Sequence, residues 1–126
     1  MRLPDLDKIL SAMLHTHPGI SDLNFSAGHP PQVESFGELK PALIDPPIDI
    51  LTPFQTERIA LALMQGDRRL MYDYLSGGSC DLSYSLSDEA RFRVNIFRKN
   101  HLAMLLQGLR PCSKNNFMVC LTPFFA

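Results

Sequence analysis

Two arginines and an asparagine alternate with apolar residues between positions 90 and 97. The polar residues at every second position are Arg91, Arg93 and Asn95. In a β-strand, side chains two positions apart point to the same face, so these three would form one polar row. Guanidinium and amide donors in such a row suit a phosphate or carboxylate. The row could equally be an ordinary solvated face, with Asp81 pairing an arginine across a hairpin for about 0–1 kcal/mol.

The histidines and cysteines do not have the spacing of a metal or nucleophile site. His15 and His17 are two positions apart, which places them on different faces of a helix. The three cysteines contain no C-x-x-C pair and are too scattered for a disulfide framework, so we expect reduced, mostly buried thiols; they are Cys80, Cys112 and Cys120. The sequence contains no G-x-x-x-x-G-K-[ST] phosphate loop. We therefore expect no metal site and no enzyme activity from the chain on its own.

The composition fits one ordinary domain. The chain has 126 residues, of which 45% are hydrophobic and 20% charged, with a net charge of −1. This charge does not favour general nucleic-acid binding, and no apolar run reaches the roughly 18 residues of a membrane span. A cytoplasmic protein is expected. The charge is uneven, however, because residues 1–87 carry −5 and residues 88–126 carry +4, which suggests a face that meets phosphate or an acidic surface.

Three helices are predicted, at residues 3–15, 52–65 and 68–75. The first has leucine, isoleucine and methionine at spacings of three and four. The second has a marked start, because Thr52 can cap the helix, Pro53 fits its first turn and Gln55 completes a capping box. The third ends at Gly77-Gly78.

Strands are predicted at residues 21–26, 32–36, 39–44, 80–86, 90–97 and 101–109. A tight turn at Gly37-Glu38 would join the second and third strands, and Pro41 restricts the third to a sheet edge. The strongest hairpin pattern joins residues 80–86 to 90–97. The order of elements predicts an α+β, PAS-like domain with a mainly antiparallel sheet and helices packed on one side. Its expected core residues are Leu6, Ile9, Leu10, Met13, Leu23, Phe25, Leu82, Tyr84, Phe92, Val94 and Ile96.

Five short motifs occur in a fixed order along residues 1–111. They are GISDLNFSAGHPP at 19–31, GEL at 37–39, LTP at 51–53, CDLSY at 80–84 and ARFRVNIF at 90–97. This series resembles the N-terminal domain of type IV pilus retraction ATPases. These are the PilT-like twitching-motility motors of the secretion-ATPase superfamily.

The resemblance implies a role for individual arginines. Members of this family are hexameric motors in which the N-terminal domain packs on the RecA-like ATPase domain of a neighbouring subunit. That ATPase domain binds ATP and Mg, and arginines of the N-terminal domain reach the phosphates. The family's arginine in the RFRVN strand corresponds to Arg93, with Arg91 beside it. A second family arginine aligns without gaps to Gly108, and Arg110 could replace it only after a small register change in the strand at 101–109.

The sequence also departs from the family pattern. Glu34 stands where a basic residue is usual, and Cys80 where an acidic residue often precedes the aspartate. By comparison with the family, the RecA-like domain expected after residue 111 is missing, and residues 112–126 are expected to form an atypical apolar tail. The chain is thus expected to be either a truncated or frame-shifted reading frame, or a stand-alone module whose tail packs on the sheet.

Two functions are consistent with this sequence. The first is a non-catalytic N-terminal module of a twitching-motility ATPase, which mediates subunit packing and supplies arginine to a neighbouring subunit's nucleotide. Its partners would be the RecA-like domain of the same family or further copies of the chain, and it would carry no cofactor of its own. The alternative is a stand-alone PAS-like regulatory or ligand-binding module.

Overall fold

The fold is an antiparallel sheet covered by helices. The computed structural model describes residues 3–44, 47–87, 90–98 and 117–124. Its elements in chain order are α1 (Leu3–Leu14), β1 (Ile20–Ser26), β2 (Gln32–Ser35), β3 (Glu38–Pro41), α2 (Pro53–Met64), α3 (Arg68–Gly77), β4 (Ser79–Leu86), β5 (Ala90–Arg98) and β6 (Phe117–Phe124). Within these ranges, no helix has both the length and the apolar character to cross a membrane.

Side-chain caps set the starts of α2 and α3, and a glycine sets the end of α3. Thr52 and Gln55 form the predicted capping box, with hydrogen bonds of 3.1 Å from Gln55 N to Thr52 Oγ1 and 2.9 Å from Thr52 N to Gln55 Oε1. At the start of α3, the Asp67 carboxylate accepts a hydrogen bond of 2.9 Å from Arg69 N. The helix is closed by Gly78, whose φ of 78° lies in the left-handed region.

All strand pairs in the sheet are antiparallel, in the order β3-β2-β1-β6-β5-β4. The predicted hairpin is present as β4 and β5, which pair from Ser79–Phe97 to Leu86–Ala90. This register puts the apolar residues of both strands on one face, except Phe97, which shares the other face with the polar residues. The α+β, mainly antiparallel architecture predicted from the sequence is confirmed.

The turn between β2 and β3 differs from the prediction by one residue. Its central residues are Phe36 and Gly37, with φ of 49° and 81°, which is typical of a two-residue type I′ hairpin turn. The Phe36 ring lies so close to Gly19 that a Cβ added to Gly19 would overlap the ring. Strand β3 ends at Pro41, earlier than predicted, since proline has no N–H to donate to a ladder.

The apolar tail provides a central strand. Strand β6 pairs with β1 on one side and β5 on the other, and its Val119 and Leu121 are fully buried. The sequence analysis predicted no strand in this part of the chain. The strand predicted at 101–109, Arg110 and the predicted domain boundary after residue 111 all lie outside the described residues.

The core lies between the helices and one face of the sheet. The predicted core residues of α1, β1, β4 and β5 belong to it: all are buried except Ile9 and Leu82, which are partly buried against the others. Helix α2 adds Ile59, Leu63 and Met64, and α3 adds Leu70 and Tyr74. The described helices all pack on this face. The opposite face of the sheet, called the outer face below, carries most of the polar residues of β1, β2, β4 and β5, together with Leu39 of β3 and Phe97 of β5.

Candidate functional site

Arg93 lies on the outer face, close to the middle of β5. Its neighbours on the same row are Ser83 of β4 and Thr122 of β6, and all three side chains are exposed. On the other side of the strand, Phe92 and Val94 are fully buried, which fixes the backbone that carries the arginine. The outward orientation of Arg93 predicted from the alternation is therefore observed.

The row that contains Arg93 continues across the sheet to two carboxylates. We call Ser83, Arg93, Thr122, Asp22 and Glu34 the Arg93 row. Thr122 Oγ1 donates a hydrogen bond of 2.7 Å to Asp22 Oδ1, and Asp22 is paired with Glu34 of β2. Adjacent strands are about 4.8 Å apart, so the backbone of Asp22 is roughly 10 Å from that of Arg93. The row thus has a cation on one side of β6 and two carboxylates on the other.

Asp81 is not the cross-strand partner of either arginine. It is paired with Asn95, while Ser83 is paired with Arg93 and Ser85 with Arg91. Among the residues that the structure describes, no hydrogen bond or ion pair engages the Arg93 guanidinium. A guanidinium without such a partner has five N–H donors that can bind an anion.

The other predicted phosphate contacts have different positions. Arg91 is exposed on the outer face, two residues before Arg93. Arg110 cannot be placed, because it lies outside the described residues. The structure therefore brings Arg91 and Arg93 together on one face and leaves the third candidate untested.

The cysteines and histidines show no catalytic arrangement in the described part of the chain. No three His, Cys, Asp or Glu residues gather there at a distance that could hold a metal ion. Burial raises the pKa of the Cys80 thiol, and the nearby Asp81 and Asp73 carboxylates raise it further. A raised pKa keeps Cys80 protonated at neutral pH, which opposes nucleophilic chemistry.

The sequence analysis missed a groove between the starts of α1 and α2. Its volume is about 490 Å³, and its lining includes Asp5, Thr52, Phe54, Gln55 and Arg58. The Arg58 guanidinium carbon is 5.6 Å from the centre of the Phe54 ring. The one signal in the sequence was the spacing of Phe54 and Arg58, since residues four apart on a helix are neighbours.

Known proteins resemble this chain in sequence and fold. No protein-family model matches it. The type IV pilus ATPase PilU of Pseudomonas aeruginosa is 31% identical over 106 residues, which cover 83% of this chain and 26% of PilU. The chain thus spans about a quarter of this relative's length.

Two solved structures share the fold. The ATPase DotB of Legionella pneumophila matches 98% of this chain and 29% of its own, with a TM-score of 0.71 and 16% identity. The pilus retraction motor PilT with bound ADP matches 97% of this chain and 29% of its own, with a TM-score of 0.62 and 24% identity. With the motif series and the PilU match, these likenesses place the chain in the PilT-like secretion ATPase family, as a counterpart of the family's N-terminal domain.

Proposed function

We propose that this chain is a non-catalytic packing module that docks on the RecA-like domain of a PilT-like ATPase and supplies Arg93 to the bound nucleotide. The ATP and Mg would belong to that partner domain. The observation that carries the proposal is the exposed Arg93 on β5, a strand paired on both sides, without an anionic partner in the described part of the molecule.

The chemistry of the guanidinium supports this role. Arginine binds phosphate through two parallel N–H donors and stays charged at all physiological pH values. A hydrogen bond to a charged group contributes about 1.5–3 kcal/mol, or roughly a ten- to hundredfold change in affinity. The Asp22 carboxylate is far enough from Arg93, at about 10 Å, for solvent and salt to screen much of its opposing effect.

Calorimetric titration against the separately produced ATPase domain of PilU tests the proposal. We expect the dissociation constant to be lowest with Mg and a non-hydrolysable ATP analogue, and Arg93→Ala to raise it at least about tenfold in that state only. The thermal stability of Arg93→Ala should stay near that of the wild type, because the side chain is exposed.

The matched control is Arg69→Ala, which removes an exposed arginine from α3 on the helical side of the sheet. It should leave the affinity unchanged. Equal affinities for wild type and Arg93→Ala with the ATP analogue would contradict the phosphate contact, and no binding in any nucleotide state would contradict the docking role.

A second candidate function, a stand-alone PAS-like regulatory module, is favoured by the groove at α1 and α2. Arg58 could bind the anionic end of a small ligand there, and Phe54 could stack on a planar part of it. The space between helices and sheet, in contrast, is filled by apolar side chains. Chemical-shift changes at Phe54 and Gln55 on addition of ATP or citrate would support this function, and an unchanged spectrum at millimolar ligand would exclude it for these probes.

A further inference from the structure

In the Arg93 row, hydrogen-bond donors lie on the β5 side of β6 and carboxylates lie on the β1 side. Arg93 is one strand away on β5, and Asp22 is one strand away on β1. One strand further out are Ser83, a hydroxyl donor, and Glu34, a carboxylate acceptor. Each donor on the β5 side therefore has an acceptor at the same distance from β6 on the other side.

This arrangement is complementary to itself under a twofold rotation. If a second copy is turned by 180° about an axis that runs along β6 just above the outer face, its β1 lies over β5 of the first copy. Arg93 then faces Asp22 of the second copy, and Ser83 faces Glu34 of the second copy, with each contact formed twice. We propose that the outer face of the sheet is a homodimer interface, in which two copies pair face to face through the Arg93 row.

The neighbouring row of the outer face obeys the same symmetry. It consists of Asp81, Asn95, Cys120, Asn24 and Gln32, in that order across the sheet. The rotation brings Asp81 opposite Gln32 of the second copy, where an amide can donate to the carboxylate. It brings Asn95 opposite Asn24. Because the Asn24 Oδ1 is buried in its own subunit, this contact would run from the Asn24 amide N–H to the Asn95 oxygen. No two like charges of these two rows meet.

The alternative axis, across the strands, gives a worse match. It would lay β5 on β5 and β1 on β1, so that an axis through the Arg93 row would set Arg93 against Arg93 of the second copy and Asp22 against Asp22 of the second copy. Like charges held opposite each other disfavour an interface and exclude wrong orientations. The charges therefore select the axis along β6, and closed twofold symmetry limits the assembly to a dimer.

This inference goes beyond the proposed function and does not depend on it. The dimer needs no ATPase domain and no nucleotide, and it uses Asp22 and Glu34, which the phosphate contact does not. The two states exclude each other, because an outer face covered by a second copy cannot present Arg93 to a phosphate. Self-association would thus compete with docking on the ATPase domain.

Charge reversal tests the interface on the intact chain. Sedimentation velocity over a range of concentrations at low salt should show a monomer–dimer equilibrium for the wild type. Arg93→Glu and Asp22→Arg should each raise the dimer dissociation constant at least about tenfold, because each places like charges opposite one another. The double variant Arg93→Glu/Asp22→Arg should return to within a few fold of the wild type, since it restores both ion pairs with reversed polarity.

Two controls separate this interface from others. Arg69→Glu makes the same charge change on α3 and should leave the dimer intact. Asp22→Asn, a milder change, should weaken the dimer even if Asp22→Arg does not fold, as judged by circular dichroism. A wild type that stays monomeric at all concentrations, a double variant that does not recover, or an equal loss of dimer in Arg69→Glu would each overturn the inference.

Discussion

At the residue scale, a buried tyrosine connects the first helix to the sheet. The Tyr84 hydroxyl of β4 donates a hydrogen bond to the Asp7 carboxylate of α1, and Tyr84 is only 4% exposed. Burial raises the pKa of the tyrosine, and the hydrogen bond and charge of Asp7 raise it further. The raised pKa links the proton of Tyr84 to the stability of the fold.

This link determines whether the free energy of unfolding rises or falls at alkaline pH. In the unfolded chain, Tyr84 loses its proton near its ordinary pKa of about 10, while in the folded protein it keeps the proton to higher pH. Its stabilising contribution is therefore complete below pH 10 and decreases as pH rises above that value, by up to about 1.4 kcal/mol per pH unit. Urea unfolding at pH 8, 10 and 11 should show this decrease in the free energy of unfolding.

Variants test whether Tyr84 causes the loss of stability above pH 10. Tyr84→Phe should lower the free energy of unfolding by about 1–2 kcal/mol at pH 8. Above pH 10, the free energy of unfolding of this variant should decrease less than that of the wild type. Tyr72, which is 71% exposed, provides the control, and Tyr72→Phe should leave both quantities unchanged. If Tyr84→Phe kept the wild-type slope above pH 10, the alkaline loss would have another origin.

At the element scale, the sequence predicted the β4–β5 hairpin better than it predicted β6. Strict alternation from Cys80 to Ile96, with a turn between, identifies two strands that must be neighbours. Apolar and other residues also alternate in 117–124, but Pro123 argues against a central strand. In addition, alternation does not identify the strands with which a strand pairs. The central place of β6 depends on contacts distant in the sequence, which local patterns do not contain.

A core variant in β6 tests whether this strand is part of the fold. Leu121 is fully buried beside Leu23 and Val94, so Leu121→Ala should destabilise the protein by about 2–5 kcal/mol in urea unfolding. Thr122→Ala, next to it on the exposed side, should cost no more than about 1 kcal/mol through its lost hydrogen bond to Asp22. Near-equal effects of the two variants would show that β6 is not anchored in the core.

At the scale of the whole molecule, the outward position of Arg93 could be derived from the sequence, but its surroundings could not. Period-two alternation fixes the face on which a side chain lies. It does not say that Asp22 and Glu34 share a row with Arg93, because that depends on β6 entering the sheet between β1 and β5. The groove at Phe54 and Arg58 likewise depends on how α1 packs beside α2.

At this scale, the proposal that the chain is non-catalytic and acts on a partner's nucleotide predicts how ATP hydrolysis depends on the chain. Phosphoryl transfer needs a phosphate loop and a metal site in addition to an arginine, and this sequence has no such loop. We therefore expect no phosphate release above background when the chain alone is incubated with ATP and Mg.

Addition of the chain to the PilU ATPase domain should raise the rate of ATP hydrolysis, and Arg93→Ala should remove at least about nine tenths of that increase, as expected for an arginine finger. Arg69→Ala should retain the full increase, whereas turnover by the chain alone, or an increase that survives Arg93→Ala, would show that the chemistry lies elsewhere.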